Sequence, residues 1–154
     1  MSLLRKEIRQ QRPFVSKREE AFLNLQRTAA MHSQSLATVL KEYGVTPTQY
    51  NALRILRGAH PVAMSCKEVG ERMVTPVPDV TRLVDRLEKR GLVERARGSE
   101  DRRVVEVSIT EGGRAVLKRI DQPLARWMNS ELASLDDEEI EDLIGLLERL
   151  RRDG

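Results

Sequence analysis

Eight cationic side chains stand between Arg82 and Arg103, against five acids in the same stretch. The planar, permanently charged fork of arginine suits phosphate oxygens and the base edges of a duplex. Arg82, Arg86, Arg97, Arg102 and Arg103 therefore have the chemistry of a polyanion reader. The start of the chain is basic too, with six cations and one acid between Met1 and Arg18. From Ser130 to Glu148 the sign reverses, with eight acids and no base. Net charge is only +3 over 154 residues, so the distribution matters more than the sum. A solvated surface rich in both signs is the competing reading of charge alone.

Other chemistries find little support. Two histidines, His32 and His60, and one cysteine, Cys66, form no recognised nucleophile pattern and no zinc ligand set. Gly112-Gly113 lacks the lysine and spacing of a phosphate loop. The acids from Asp136 to Asp142 open a helix, where its dipole favours them, and need no metal. An enzyme and a cofactor are therefore not expected. Aromatic residues make up 3% of the chain, too few for single-strand stacking platforms. A lone cysteine suits a reducing cytoplasm, and no apolar run reaches membrane-spanning length. Cys66 reads as a small buried thiol rather than a redox sensor.

These cations need elements to hold them. Val80, Leu83, Val84 and Leu87 fall at helical spacing, which turns Arg82, Arg86 and Lys89 outward. Thr75-Pro76 is the expected start of this helix, a capping hydroxyl before a first-turn proline, and Gly91 is its end. Leu92 to Arg95 and Arg103 to Ile109 read as two strands around a polar tip, Arg97 to Arg102. Upstream, Thr46-Pro-Thr-Gln49 and Ser65-Cys-Lys-Glu68 are capping boxes that open two shorter helices. Two joined helices, a basic helix and a hairpin have the order of a winged helix-turn-helix.

Long amphipathic helices flank this unit. Ser16-Lys-Arg-Glu19 opens one that runs to about Tyr43, with Phe22, Leu25, Ala29, His32, Leu36, Val39 and Tyr43 along a seam. Residues 1–15 show no sustained period and are expected to be extended. A helix after Thr110 carries Val116, Leu117, Ile120, Leu124, Trp127 and Met128, with a kink expected at Pro123. The last helix is expected to bury Ile140, Leu143, Ile144, Leu147 and Leu150. Together these faces exceed what the central unit can cover, so pairing with a second copy is expected. The expected division is a dimerisation region, 1–45 and 111–154, around a DNA-binding unit, 46–110.

The run Leu83-Val-Asp-Arg-Leu-Glu-Lys-Arg-Gly-Leu-Val-Glu-Arg95, then Asp101-Arg-Arg103, then Ser108-Ile-Thr-Glu-Gly-Gly-Arg114, resembles the multiple-antibiotic-resistance regulator family, MarR. Val45 to Tyr50 with Leu53 fits that family's second helix. The resemblance implies a mainly α fold with a small β-hairpin wing. It also implies a cytoplasmic homodimer that binds palindromic double-stranded DNA, typically as a repressor, and a small aromatic acid or phenolic effector. It puts Thr81 and Arg82 on the groove-facing side of the recognition helix. Asp101 and Arg103 match its wing pair, in which the aspartate holds an arginine that enters the minor groove. Thr75, Pro78, Asp79, Arg86, Arg97 and Arg102 complete the candidate DNA contacts. Pro78 and Asp79 depart from the family's small hydroxylated residues, and an aspartate there would repel phosphate unless it accepts from cytosine N4. His32, Tyr50, Arg54 and Trp127 are the candidate effector-site residues, although Tyr50 and Trp127 also suit a plain core. Arg95 reads as structural, neutralising an acid. A winged protein-interaction module that no longer binds DNA is the alternative function.

Overall fold

A computed structural model of the chain describes residues 2–97 and 105–152. The described elements are α1 (Leu3–Glu7), α2 (Lys17–Lys41), α3 (Pro47–Ala59), β1 (Met64–Ser65), α4 (Cys66–Glu71), α5 (Val80–Lys89), β2 (Val93–Arg97), β3 (Val105–Ile109), α6 (Glu111–Glu131) and α7 (Asp137–Arg152). The mainly helical winged fold read from the sequence is the one observed. Among the described residues no helix is long and apolar enough to cross a membrane.

Local signals positioned most of these elements. Thr46 and Ser65 each accept the amide three residues on, and the side chains of Gln49 and Glu68 return to the cap amides. Two backbone donors are satisfied at each helix start. Gly44 and Gly91 take the left-handed conformation just beyond α2 and α5, at φ of 70° and 67°. The hairpin is antiparallel, with Val93 opposite Ile109 and Arg97 opposite Val105. A third strand, β1, adds to its other edge through Met64 and Val107. Two residues are too few to display an alternation, so the sequence carried no sign of it.

One core gathers α3, α4, α5, the sheet and the middle of α6. Leu53, Leu56, Val69, Val84, Leu87, Val107, Leu117 and Ile120 are all sealed within it. α6 rests so closely on the start of β2 that a Cβ at Gly113 would lie 2.2 Å from the Leu92 carbonyl oxygen. A bidentate pair, Arg57 to Asp121 at 2.9 Å for both bonds, ties α3 to α6.

Three expectations are corrected. Residues 3–7 are helical rather than extended: Leu4 is buried, and the Arg5 guanidinium donates to the carbonyls of Gln10 and Gln11 and folds the arm on itself. The basic helix starts at Val80, not at Thr75. Pro76 and Pro78 disfavour helical backbone at the residues before them, and Asp79 is the first residue free to cap. Its carboxylate accepts the Arg82 amide at 2.8 Å. Pro123 lies inside α6, which is helical on both sides of it. No residue of α7 is sealed: Leu143, Ile144 and Leu150 are exposed, the last two at 51% and 65%, and Ile140 and Leu147 are only half-buried.

Candidate nucleic-acid interface

α5 is amphipathic in the way its spacing predicts. Leu83, Val84 and Leu87 are buried, and Thr81, Arg82 and Arg86 face solvent. Asp85 and Glu88 were open partners for those arginines, but Arg95 on β2 takes both. Its guanidinium donates to Asp85, to Glu88 at 3.4 Å and to the Thr81 carbonyl at 3.1 Å. Arg95 is therefore a brace from the sheet to the recognition helix, as its structural reading required. Among the described residues Arg82 and Arg86 have no carboxylate within ion-pair distance. Their charge stays available to an outside anion.

The two arginines border a groove of about 440 Å³. Thr46, Thr48 and Gln49 at the start of α3 form one wall, and Val77, Pro78 and Asp79 form the other. The capping box already engages the Thr46 and Gln49 amides and Pro47 has no N–H, so it is the positive dipole end of α3 that favours phosphate at such a wall. Arg90 reaches the same wall and donates to Gln49 at 3.4 Å. Thr48, Gln49 and Arg90 were not among the sequence candidates. Their signal was the capping box, which shows a helix start without showing what lies opposite.

The remaining candidates divide. Asp79 borders the groove with its carboxylate engaged as a cap, which explains how an acid is accommodated here. Arg97 ends β2 and is exposed. Thr75 lies instead on a cavity behind the recognition helix. Asp101, Arg102 and Arg103 fall outside the described residues.

That second cavity, about 560 Å³, lies between α2, α3, α6 and the segment leading to α5. Tyr50, Arg54 and Trp127 line it together, with Met128 and Leu36. Burial raises the pKa of the Tyr50 phenol, which keeps it a proton donor. His32 does not join them. Its Nδ1 lies 2.6 Å from Glu131, which holds the imidazole in a neighbouring cavity of about 660 Å³ under α1. Asn51 is a further residue the sequence did not single out. It is buried in α3, and its side-chain oxygen accepts the Val74 amide at 2.9 Å. One short segment thus touches both spaces: Met73 to Thr75 wall the cavity, and Val77 to Asp79 wall the groove.

Comparison with known proteins agrees with this geometry. The MarR family model matches residues 43–104, which take in α3 to β2 and stop short of β3. A transcriptional regulatory protein for the hcr operon of Thauera aromatica is 32% identical over 123 residues, covering 80% of this chain and 73% of that protein. The crystal structure of a MarR transcription factor from Planctomyces limnophilus superposes with a TM-score of 0.69 at 38% identity, covering 88% of this chain and 98% of that one. A mutant of E. coli MarR complexed with operator DNA superposes at 0.78, covering 97% and 99%; at 22% identity the likeness is one of fold. The overall fold is thus shared with proteins named as transcriptional regulators rather than enzymes, and the chain belongs to the MarR family of transcriptional regulators.

Proposed function

We propose that the chain is a homodimeric repressor that binds palindromic double-stranded DNA through residues 46–110 and pairs through 1–45 and 111–154. The observation that carries the DNA reading is the outer face of α5, where Arg82 and Arg86 have no acid partner among the described residues because Arg95 engages Asp85 and Glu88. The groove beside them has the size, and the positive end of α3 at its wall, to take a phosphate strand while α5 meets base edges. That a protein of the same fold, a mutant of E. coli MarR, is solved with operator DNA supports a duplex DNA partner. The bare face of α7 supports pairing, and two half-sites one helical turn apart would then be read together.

Relief by a small aromatic acid or phenol is the second half of the proposal. The cavity offers an apolar wall, a phenol donor at Tyr50 and a cation at Arg54. An occupant pressing on Met73 to Thr75 acts on the segment that also forms the groove wall. Isothermal titration with benzoate, followed by release of operator DNA, tests this half.

Selection of bound sites from random duplexes, followed by gel-shift titration at two salt concentrations, tests the DNA half. Arg82→Ala is expected to weaken operator binding by about 1–3 kcal/mol and relax selectivity at one symmetric pair of positions. Arg103→Ala is expected to lower the salt slope by roughly one unit per subunit, with Arg103→Lys a partial rescue. Asp101→Ala is expected to weaken binding, since its role is to orient Arg103. Tighter binding by Asp101→Ala removes the wing pair, and unchanged binding by every variant removes the DNA-binding reading.

A further inference from the structure

The indole of Trp127 forms part of the cavity wall, yet its N–H points away from the cavity and donates to Ser35 Oγ at 2.9 Å. Ser35 in turn donates to Glu131 Oε1 at 3.0 Å, and Glu131 Oε2 lies 2.6 Å from His32 Nδ1. Donor inventory fixes every proton in this chain. An indole N–H only donates, so the serine oxygen must accept. The single serine proton then has one destination, the carboxylate. A carboxylate only accepts, so His32 must carry a proton on Nδ1. Spacing makes the arrangement possible: residues 32 and 35 share a face of α2, and 127 and 131 share a face of α6.

We propose that Ser35 and Glu131, with His32 behind them, are positioning residues that fix the Trp127 indole as an apolar wall of the effector cavity. This rests on reading that cavity as an effector site. Two consequences follow from the geometry. The indole donor is engaged and unavailable to a bound molecule, so the polar end of an effector must be met elsewhere on the lining, where Arg54 supplies the one cation and Tyr50 a phenol donor. That selects a ring with one anionic or hydroxyl substituent, its carbon face against Trp127. The ring also cannot swing freely, because movement strands the N–H without an acceptor and breaks the serine–carboxylate bond with it.

Trp127 is the only tryptophan, so its emission reports the relay directly. The experiment compares the full chain with Ser35→Ala, Ser35→Thr and Glu131→Gln, by emission maximum, acrylamide quenching and benzoate titration. Ser35→Ala is expected to red-shift the emission, increase quenching and weaken benzoate binding about tenfold. Ser35→Thr keeps the hydroxyl and is expected to restore all three. Glu131→Gln keeps one acceptor and is expected to fall between. Circular dichroism of each variant separates these effects from loss of fold. Emission and quenching unchanged in Ser35→Ala overturn the proposal, as does failure of Ser35→Thr to differ from Ser35→Ala. Absence of benzoate binding by the unsubstituted chain overturns the effector reading alone, and the emission comparison still decides whether the relay positions the ring.

Discussion

The winged unit and the terminal helices carry the same kind of apolar stripe and end in opposite states. In α3, α5 and the middle of α6, stripes spaced by three and four meet one another, and Leu53, Leu56, Leu87 and Leu117 are sealed. In α2 and α7 the spacing is the same, yet Phe22 is 59% exposed and Ile144 and Leu150 more than half exposed. A period identifies which face of a helix is apolar, and it does not say whether the same chain supplies the cover. The difference teaches that the winged unit seals its core within one chain, while among the described residues the terminal helices leave much of their apolar surface uncovered.

The sharpest test of that contrast sets one core leucine against one bare isoleucine. Leu87→Ala should lower stability to urea by about 2–5 kcal/mol, since it opens a cavity in a sealed core. Ile144→Ala should change the unfolding of dissociated chains by less than about 0.5 kcal/mol. Equal losses at the two sites would erase the distinction.

The complementary variant places charge on the bare face. Ile144→Glu should raise the dissociation constant of the proposed dimer roughly 100-fold, on the order of 3 kcal/mol, while leaving the circular dichroism of the chain intact. Analytical ultracentrifugation over a concentration series reads it. Sedimentation identical to the unsubstituted chain would remove α7 from the interface.

Within the winged unit, Asp79 separates capping from repulsion. As the cap of α5, Asp79→Ala should cost about 1 kcal/mol of stability, and Asp79→Asn should cost little because asparagine caps equally well. If capping is its function, Asp79→Asn also binds operator DNA at least as tightly, having lost a negative charge. A loss of DNA affinity in Asp79→Asn at unchanged thermal stability would instead favour acceptance from a base.

The smallest effect lies at the join between the regions. Ser35, and then His32, hold the Glu131 carboxyl below its ordinary value of 4.5. A depressed value in the folded state adds stability that is fully present above the unfolded value and lost as pH falls through the folded one. Glu131→Gln should therefore show a shallower fall in thermal midpoint below about pH 5 than the unsubstituted chain. Parallel pH profiles would mean that the carboxylate gains nothing from its partners on folding.

How much could be read in advance depended on the range of the interaction. Capping boxes at Thr46 and Ser65, the stripe of α5, the Gly44 and Gly91 stops and the hairpin are local patterns, each set by neighbours within a few residues. They identified the winged unit and placed Arg82 and Arg86 on its outer face, whereas the meeting of Tyr50, Arg54 and Trp127 in one cavity joins α3 to α6 and is no local pattern. The start of α5 was misread even so, because a threonine before proline and an aspartate after a second proline are both credible caps. The choice between them rests on which backbone can turn helical.

What the sequence determined by itself is therefore the set of elements, their amphipathic faces and the outward placement of the cations on α5. Each of these follows from backbone geometry and solvation acting over a few residues. Only the tertiary structure decided the partners. It gave Asp85 and Glu88 to Arg95 rather than to Arg82 and Arg86, set Asn51 against Val74, and paired His32 with Glu131 away from the cavity that Tyr50, Arg54 and Trp127 line. A charged or polar side chain has several satisfactory partners along its own helix, and it takes the one that packing brings within reach. That choice is made by elements ten to a hundred residues apart, where no local pattern records it.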